Sequence, residues 1–215
     1  MDNLTFTGNI EIDNEILQEI LESRNFYTGT NRKLMLKNGH GRYPTKNEIS
    51  ATFGLTRRGR LCPTNEYRDE SPYYGWYYTK TYSENKDLLP IFQEYSDLHL
   101  PANFFWSQVQ INKSFETPPH RDPANQGSSV IVGLGEYSGG KLCINKNSKV
   151  FYKDIKNKPT KFNGAKYTHW TSKYNGTRWS LVFFTHHSKN ELKKLEKKKI
   201  QYNNNVISNQ TSTEA

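Results

Sequence analysis

The chain has 215 residues, 33% of them hydrophobic and 13% aromatic, with a mean hydropathy of -0.91. That length suits one well-buried core and is thin for two domains, and so polar a chain needs a heavily solvated surface. Lys and Arg number 30 against 21 Asp and Glu, giving +9 and a pI near 9.4, a balance that points to an anionic partner, nucleic acid first.

The two cysteines, Cys62 and Cys143, have no paired spacing, which argues against a disulfide framework and a multi-cysteine zinc site. A reducing, intracellular compartment, nuclear or cytoplasmic, is the expectation. The first thirty residues lack a signal-peptide pattern, and no run approaches the ~18 apolar residues of a membrane span. A soluble protein with no membrane partner is therefore expected; its oligomeric state is open, with a monomer assumed.

In chain order, residues 13–22 (DNEILQEILE) predict an amphipathic helix, capped by Asp13 or Asn14, with Ile16, Leu17, Ile20 and Leu21 as its apolar stripe. A second helix is predicted from near Thr45, just after Pro44, to Gly54. Residues 55–68 read as a basic loop, and the aromatic run 73–82 (YYGWYYTKTY) as a strand or packed arm. A further helix is predicted over 87–97, with Pro90 in its first turn. From Phe104 the pattern changes to short β-type runs: 104–112, 129–134, 141–144, 149–152, 166–170 and 178–185. Gly139-Gly140, Asn163-Gly164 and Asn175-Gly176 supply turn signals between them. Many short strands at close spacing indicate a sandwich or barrel. Residues 189–199 (KNELKKLEKKK), with six Lys and two Glu, suggest an exposed basic helix, and the polar tail from Gln201 suggests disorder. The chain thus divides into supporting helices and an aromatic, basic segment (1–103), a β core belonging to the same domain (104–188), and a basic tail (189–215).

The segment PPHRDPANQGSS carries the chemistry. His120 and Asp122 are one residue apart and point to the same side of an extended chain. His169, 47 residues after Asp122 at the end of a predicted strand, offers a third ligand. Two His and one carboxylate on one face of a metal leave the other face open, the donor set of non-heme Fe(II) oxygenases. Nine residues on, Arg178 enters the apolar run WSLVFF. A guanidinium is costly to bury there unless it meets an anion, and its planar fork suits a carboxylate such as the distal one of 2-oxoglutarate. Ser180 shares its strand face and could share that carboxylate. Gln108, Gln110 and Asn112 alternate on the preceding strand, and Asn112 is a candidate to help hold 2-oxoglutarate.

The order His-x-Asp, Gly-Gly, His, Arg-x-Ser resembles that of the 2-oxoglutarate oxygenases. PHRDPANQGSSVI and TRWSLVFFTH look like the matching segments of the TET/JBP group, which oxidises the 5-methyl group of pyrimidines in DNA. The resemblance covers roughly residues 104–187. It implies a mainly β fold with flanking helices around a double-stranded β-helix (jelly-roll, cupin-like) core. It also implies Fe(II), 2-oxoglutarate and O₂ at His120, Asp122, His169 and Arg178, and DNA as partner. By the same resemblance Asn125 falls where the group reads the target base. His186 falls where it places a His beside co-substrate and base, with His187 competing for that role. Two features depart from the pattern: two cysteines exclude the Cys-rich zinc region of animal TET enzymes, and Phe184 stands where a hydroxylated aromatic is usual. Arg57, Arg58 and Arg60 are candidates for phosphates or the other end of 2-oxoglutarate, and the Tyr-rich run could stack on an extruded base. Two alternatives remain open: a prolyl- or lysyl-type protein hydroxylase, and a catalytically silent β-barrel that binds nucleic acid.

Overall fold

Residues 49–57 alternate in character. Ser50 and Thr52 are polar, while Ala51, Phe53 and Leu55 are apolar, the period of two that a sheet with one buried face requires. In the computed structural model, which describes residues 5–26, 34–35, 41–42, 47–57 and 76–186, this stretch is a strand, Ile49–Arg57, where a helix ending at Gly54 was expected. Gly54 is no helix stop. It lets this strand lie against its neighbour, since a Cβ there would collide with the carbonyl oxygen of Ser107. Residues 55–57 of the expected basic loop belong to the same strand. Its remainder, with Arg58 and Arg60, lies outside the described residues, as do His187, the 189–199 segment and the tail.

The described elements are, in order, α1 (Ile10–Glu22), β1 (Leu34–Met35), β2 (Gly41–Arg42), β3 (Ile49–Arg57), β4 (Trp76–Tyr78), α2 (Lys80–Glu84) and α3 (Leu88–His99). There follow β5 (Gln108–Lys113), β6 (Ser129–Leu134), β7 (Tyr137–Gly139), β8 (Leu142–Lys146), β9 (Lys149–Lys153), β10 (Thr160–Phe162), β11 (Thr168–Thr171), β12 (Tyr174–Gly176) and β13 (Trp179–Phe184). The expected arm 73–82 resolves, where described, into β4 and the start of α2. Short β7, β10 and β12 were not legible as strands. Asn175-Gly176 sits within β12, paired to β7, instead of forming a turn.

Strand order defines the core. One sheet runs β10-β6-β13-β5-β3-β4, and a second runs β11-β8-β9. His120 extends the second sheet through an antiparallel bridge to His169, each backbone N–H donating to the other's carbonyl at 3.0 and 2.9 Å. From β5 onward the chain steps back and forth between the sheets, so that β5, β13, β6 and β10 face the segment at His120, β11, β8 and β9. That alternation is a double-stranded β-helix, with β3 and β4 extending its larger sheet.

The outer face of the larger sheet is sealed by helices. Val109, Ile111, Val130, Val132, Leu134, Trp179, Leu181 and Phe183 are buried against Leu17, Leu21, Leu88, Phe92 and Tyr95. Each large side chain so buried contributes about 1.5–3 kcal/mol. Asn9 caps α1, accepting from the backbone N–H of Glu11 and Ile12. The candidate caps Asp13 and Asn14 lie inside the helix and are buried. Asp13 accepts from Thr7 N and Gly8 N at 2.7 and 2.9 Å and pairs with His99 at 2.7 Å, so its carboxylate closes the N-terminal turn onto α3. Among the described residues no helix is long and apolar enough to cross a membrane.

Candidate metal centre

The opposite face of the larger sheet is partly polar, because Ser50, Thr52, Gln110, Asn112 and Ser180 alternate with core residues along their strands. Along β3, β5 and β13 the register stacks Ser50, Asn112 and Ser180 in one row and Thr52, Gln110 and Val182 in the next. These side chains form one wall of a cavity of about 520 Å³ between the two sheets, within the range of small-molecule sites. His120, Asp122 and His169 stand on the facing wall.

The ligand atoms of these three residues all lie within 4.8 Å of one another. The Nε2 atoms of His120 and His169 approach the two carboxylate oxygens of Asp122 at 3.7 and 3.4 Å. The bridge between the two histidines sets this geometry, since it places their side chains side by side with ring centroids 4.2 Å apart. Each Nδ1 meets the carbonyl of the residue two before it, Pro118 at 2.8 Å and Tyr167 at 3.1 Å. A carbonyl only accepts, so Nδ1 of both rings carries the proton and both Nε2 lone pairs face inward. The donor set therefore fits Fe(II): two imidazole nitrogens in the ligating tautomer and one carboxylate on the same side. Gly164 keeps the space behind it, as a Cβ there would sit 3.0 Å from His169 Cε1 and 3.4 Å from Asp122 Oδ2.

Arg178 is 1% exposed, one of the largest fully buried side chains. Its Nε donates to Gly140 O at 3.3 Å and its Nη1 to Ser180 Oγ at 3.2 Å. The guanidinium lies over the rings of Tyr137 and Tyr174, 5.6 and 5.7 Å from their centroids. Burial pulls its pKa below the usual arginine value, with the two tyrosines opposing, and no carboxylate contributes. A buried cation satisfied by a carbonyl, a hydroxyl and two π faces, and reaching the cavity through Ser180, is a cradle for an anion. Gly140 makes the cradle possible: at φ +60°, it would bring a Cβ within 2.8 Å of Arg178 Cδ and Nε. Gly140→Ala is expected to cost about 1–2 kcal/mol of backbone strain alone and, by displacing Arg178, to weaken binding of a carboxylate such as that of 2-oxoglutarate if the cradle holds one. Calorimetry with and without 2-oxoglutarate separates the two effects.

The other residues singled out by sequence converge here too. Asn112, Asn125, Ser180, Phe184 and His186 line the same cavity as the three metal-ligand candidates. Asn125 donates only a long 3.5 Å contact to Ser129 Oγ. His186 packs edge-on against Phe184 with centroids 5.2 Å apart, and burial lowers its pKa while Asp122 opposes. Ser50 and Thr52 were missed, hidden in the stretch read as helix, although their alternation with Ala51, Phe53 and Leu55 was the signal. The ladder they form is continuous: Thr52 Oγ1 donates to Gln110 Oε1 at 2.7 Å, and Gln110 Nε2 donates to Ser50 Oγ and Asn112 Oδ1 at 3.2 and 3.1 Å. Tyr137 and Tyr174 around Arg178 were missed as well, with no sequence signal to single them out.

Fold and site together define a double-stranded β-helix with a two-His, one-carboxylate centre. Among solved structures the chain is similar to a 2OG-Fe(II) oxygenase family oxidoreductase from Burkholderia pseudomallei, at 16% identity over 67% of this chain and 71% of that one, with a TM-score of 0.45. It is also similar to NgTET1 in complex with 5mC DNA, at 14% identity over 89% and 76%, TM-score 0.42. A third likeness is to a Pseudomonas putida prolyl-4-hydroxylase, at 10% identity over 83% and 87%, TM-score 0.41. No protein family and no curated protein matches the sequence. At these scores the chemistry has to be read from the chain's own side chains.

Proposed function

We propose that this chain is an Fe(II)- and 2-oxoglutarate-dependent oxygenase that hydroxylates the 5-methyl group of a pyrimidine, 5-methylcytosine or thymine, in DNA. One observation carries the reading: a two-His, one-carboxylate set with fixed tautomers shares a cavity with Ser180, which is hydrogen-bonded to a buried arginine lacking an acid partner among the described residues. Bound Fe(II) and 2-oxoglutarate supply the oxidising chemistry, O₂ activation coupled to decarboxylation of the 2-oxo acid to succinate and CO₂.

The chain's own residues hold and orient. His120, Asp122 and His169 take the metal through Nε2, a carboxylate oxygen and Nε2. Arg178 and Ser180 receive the distal carboxylate of 2-oxoglutarate. Asn112, cross-strand neighbour of Ser180, has its Oδ1 taken by Gln110, so its Nδ2 is the group left to donate at that end. The apolar lining from Phe115, Ile131, Leu142, Phe162, Val182 and Phe184 restricts water around the reacting centre. A methyl group inside a duplex reaches such a cavity only when its nucleotide is flipped out, at a cost of a few kcal/mol.

Asn125 and His186 are assigned to the base. A carboxamide can donate to and accept from a base edge. Asn125→Ala is expected to lower base oxidation at least tenfold while succinate formation continues uncoupled, because it leaves the metal ligands and Arg178 in place. Mass spectrometry of nucleosides released from methylated, unmethylated and thymine-containing DNA and from RNA tests the reading, with peptide mixtures alongside. Oxidised residues in the peptides alone would replace it with a protein hydroxylase.

A further inference from the structure

Net positive charge is concentrated in one described stretch of this chain. Residues 137–173 hold nine lysines and a single acid, Asp154, a net +8 in a chain whose total is +9. These residues span β7 through β11: the smaller sheet β11-β8-β9, β7 beside β12, and β10 at the edge of the larger sheet. Lys141, Lys146, Lys149, Lys153, Lys158, Lys161, Lys166 and Lys173 are exposed, and of the nine only Lys156 has a carboxylate partner among the described residues, Glu136 at 3.3 Å. Like charges so concentrated repel one another, a cost that a bound polyanion would offset.

Two features tie this charge to the cavity. The connection from β10 to β11 passes directly behind the metal ligands, with Gly164 against His169 and Asp122. It is flanked by Lys161 on one side and by Lys166 and Tyr167 on the other. The ammonium groups of Lys166 and Lys146 lie 5.4 and 5.6 Å from the centroid of the same Tyr167 ring, so one cation from the turn before β11 and one from the end of β8 converge on one aromatic. Lys161 lines a second, open groove of about 490 Å³ with Phe104, Phe105, Gln126, Gly127 and Ser128. The groove adjoins the first cavity across a turn, since Asn125 lines one and Gln126 the other. Cations thus flank the connection that carries Gly164 and line the groove that adjoins the cavity.

We propose that Lys146 and Lys166 around Tyr167, with Lys161 in the adjoining groove, grip the phosphodiester backbone of a nucleic-acid strand on either side of the nucleotide presented to the metal centre. The proposal rests on the nucleic-acid reading of the site and adds the surface that would hold the strand. Nucleic acid is favoured over an acidic protein segment because exposed aromatics accompany the lysines: Phe151 and Tyr152 on edge strand β9 are 47% and 62% exposed, suited to stacking on bases. An acidic peptide has no use for them.

The test uses the full chain, a fluorescent DNA duplex containing 5-methylcytosine, the matching single strand and poly-glutamate, with binding followed over a salt series. Each phosphate contact contributes a slope of about 0.9 log units in affinity per log unit of salt on duplex and about 0.7 on single strands. Lys146→Gln/Lys161→Gln/Lys166→Gln should lower that slope by roughly 2–3 and weaken binding at least tenfold near physiological salt. It should leave metal-dependent succinate formation unchanged, which shows that the site is folded. Lys80→Gln/Lys86→Gln, on and beside α2, should leave slope and affinity unchanged. Unaltered slope and affinity in the triple variant, with the parent chain binding DNA, would overturn this surface and leave the substrate reading standing. No salt-dependent DNA binding by the parent chain would overturn both. Equal affinity for poly-glutamate, lost in the triple variant, would reassign the surface to acidic protein.

Discussion

Alanine in place of His120, Asp122 or His169 is expected to abolish Fe(II)-dependent formation of succinate from 2-oxoglutarate while the double-stranded β-helix persists. The three groups form the one His/Cys/Asp/Glu set among the described residues whose ligand atoms converge within 4.8 Å. No further His, Cys, Asp or Glu among the described residues joins this set to replace a lost ligand, and an iron bound there would depend on all three. The loss should exceed the ~10–100-fold penalty of changing an outer-shell partner. Stability should change little for His120 and Asp122, whose side chains are about one-third exposed and stand outside the apolar clusters. His169 is buried and packs on Phe162 with centroids 4.9 Å apart, so its removal should cost more, on the scale of 1 kcal/mol for an ordinary substitution. Anaerobic titration with Fe(II) and 2-oxoglutarate, followed by the weak visible band of the chelate, reads binding directly, and far-ultraviolet circular dichroism reads the fold. Near-full turnover in any one variant would remove that residue from the metal set.

The second large effect is expected at Arg178. Arg178→Met should weaken 2-oxoglutarate binding by about 2–5 kcal/mol, the range for truncating one partner of a buried, hydrogen-bonded charge pair. That is roughly 30-fold or more in affinity. The sign of the stability change discriminates between roles. Without the anion Arg178 is a buried charge held by Gly140 O and Ser180 Oγ, with no acid partner among the described residues. Replacing such a charge by an apolar side chain of similar length is neutral or stabilising. The apo variant should therefore melt at or above the parent temperature, while the stabilisation that saturating 2-oxoglutarate confers on the parent should vanish. An unchanged apparent KM for 2-oxoglutarate would count decisively against the assignment. A sharply destabilised apo variant would make Arg178 a structural residue.

The legible parts of the site were those set by short-range geometry. His120 and Asp122 share a side because they are two apart on extended chain. Arg178 and Ser180 are readable for the same reason, and because a guanidinium at the head of an apolar strand demands an anion. The strands β6, β8, β9, β11 and β13 were legible as short β-type runs, α1 from its helical period, and α3 with Pro90 in its first turn. Residues 45–54 misled because Pro44 and Gly54 mimic helix punctuation. In the fold Gly54 answers a close approach to Ser107, a residue 53 positions away.

The sequence by itself determined the chemistry: which donors exist, their spacing along the chain, and a polar face on β5 that no apolar core would tolerate. Those are properties of local periodicity and of the desolvation cost of single side chains. Tertiary structure decided what depends on pairing between distant strands. It brought His169 beside His120 through one antiparallel bridge, set Ser50 and Thr52 opposite Asn112 and Gln110, and closed Tyr137 and Tyr174 over Arg178. Register and sheet order arise from burying all the apolar faces at once, a condition that no window of the chain expresses alone.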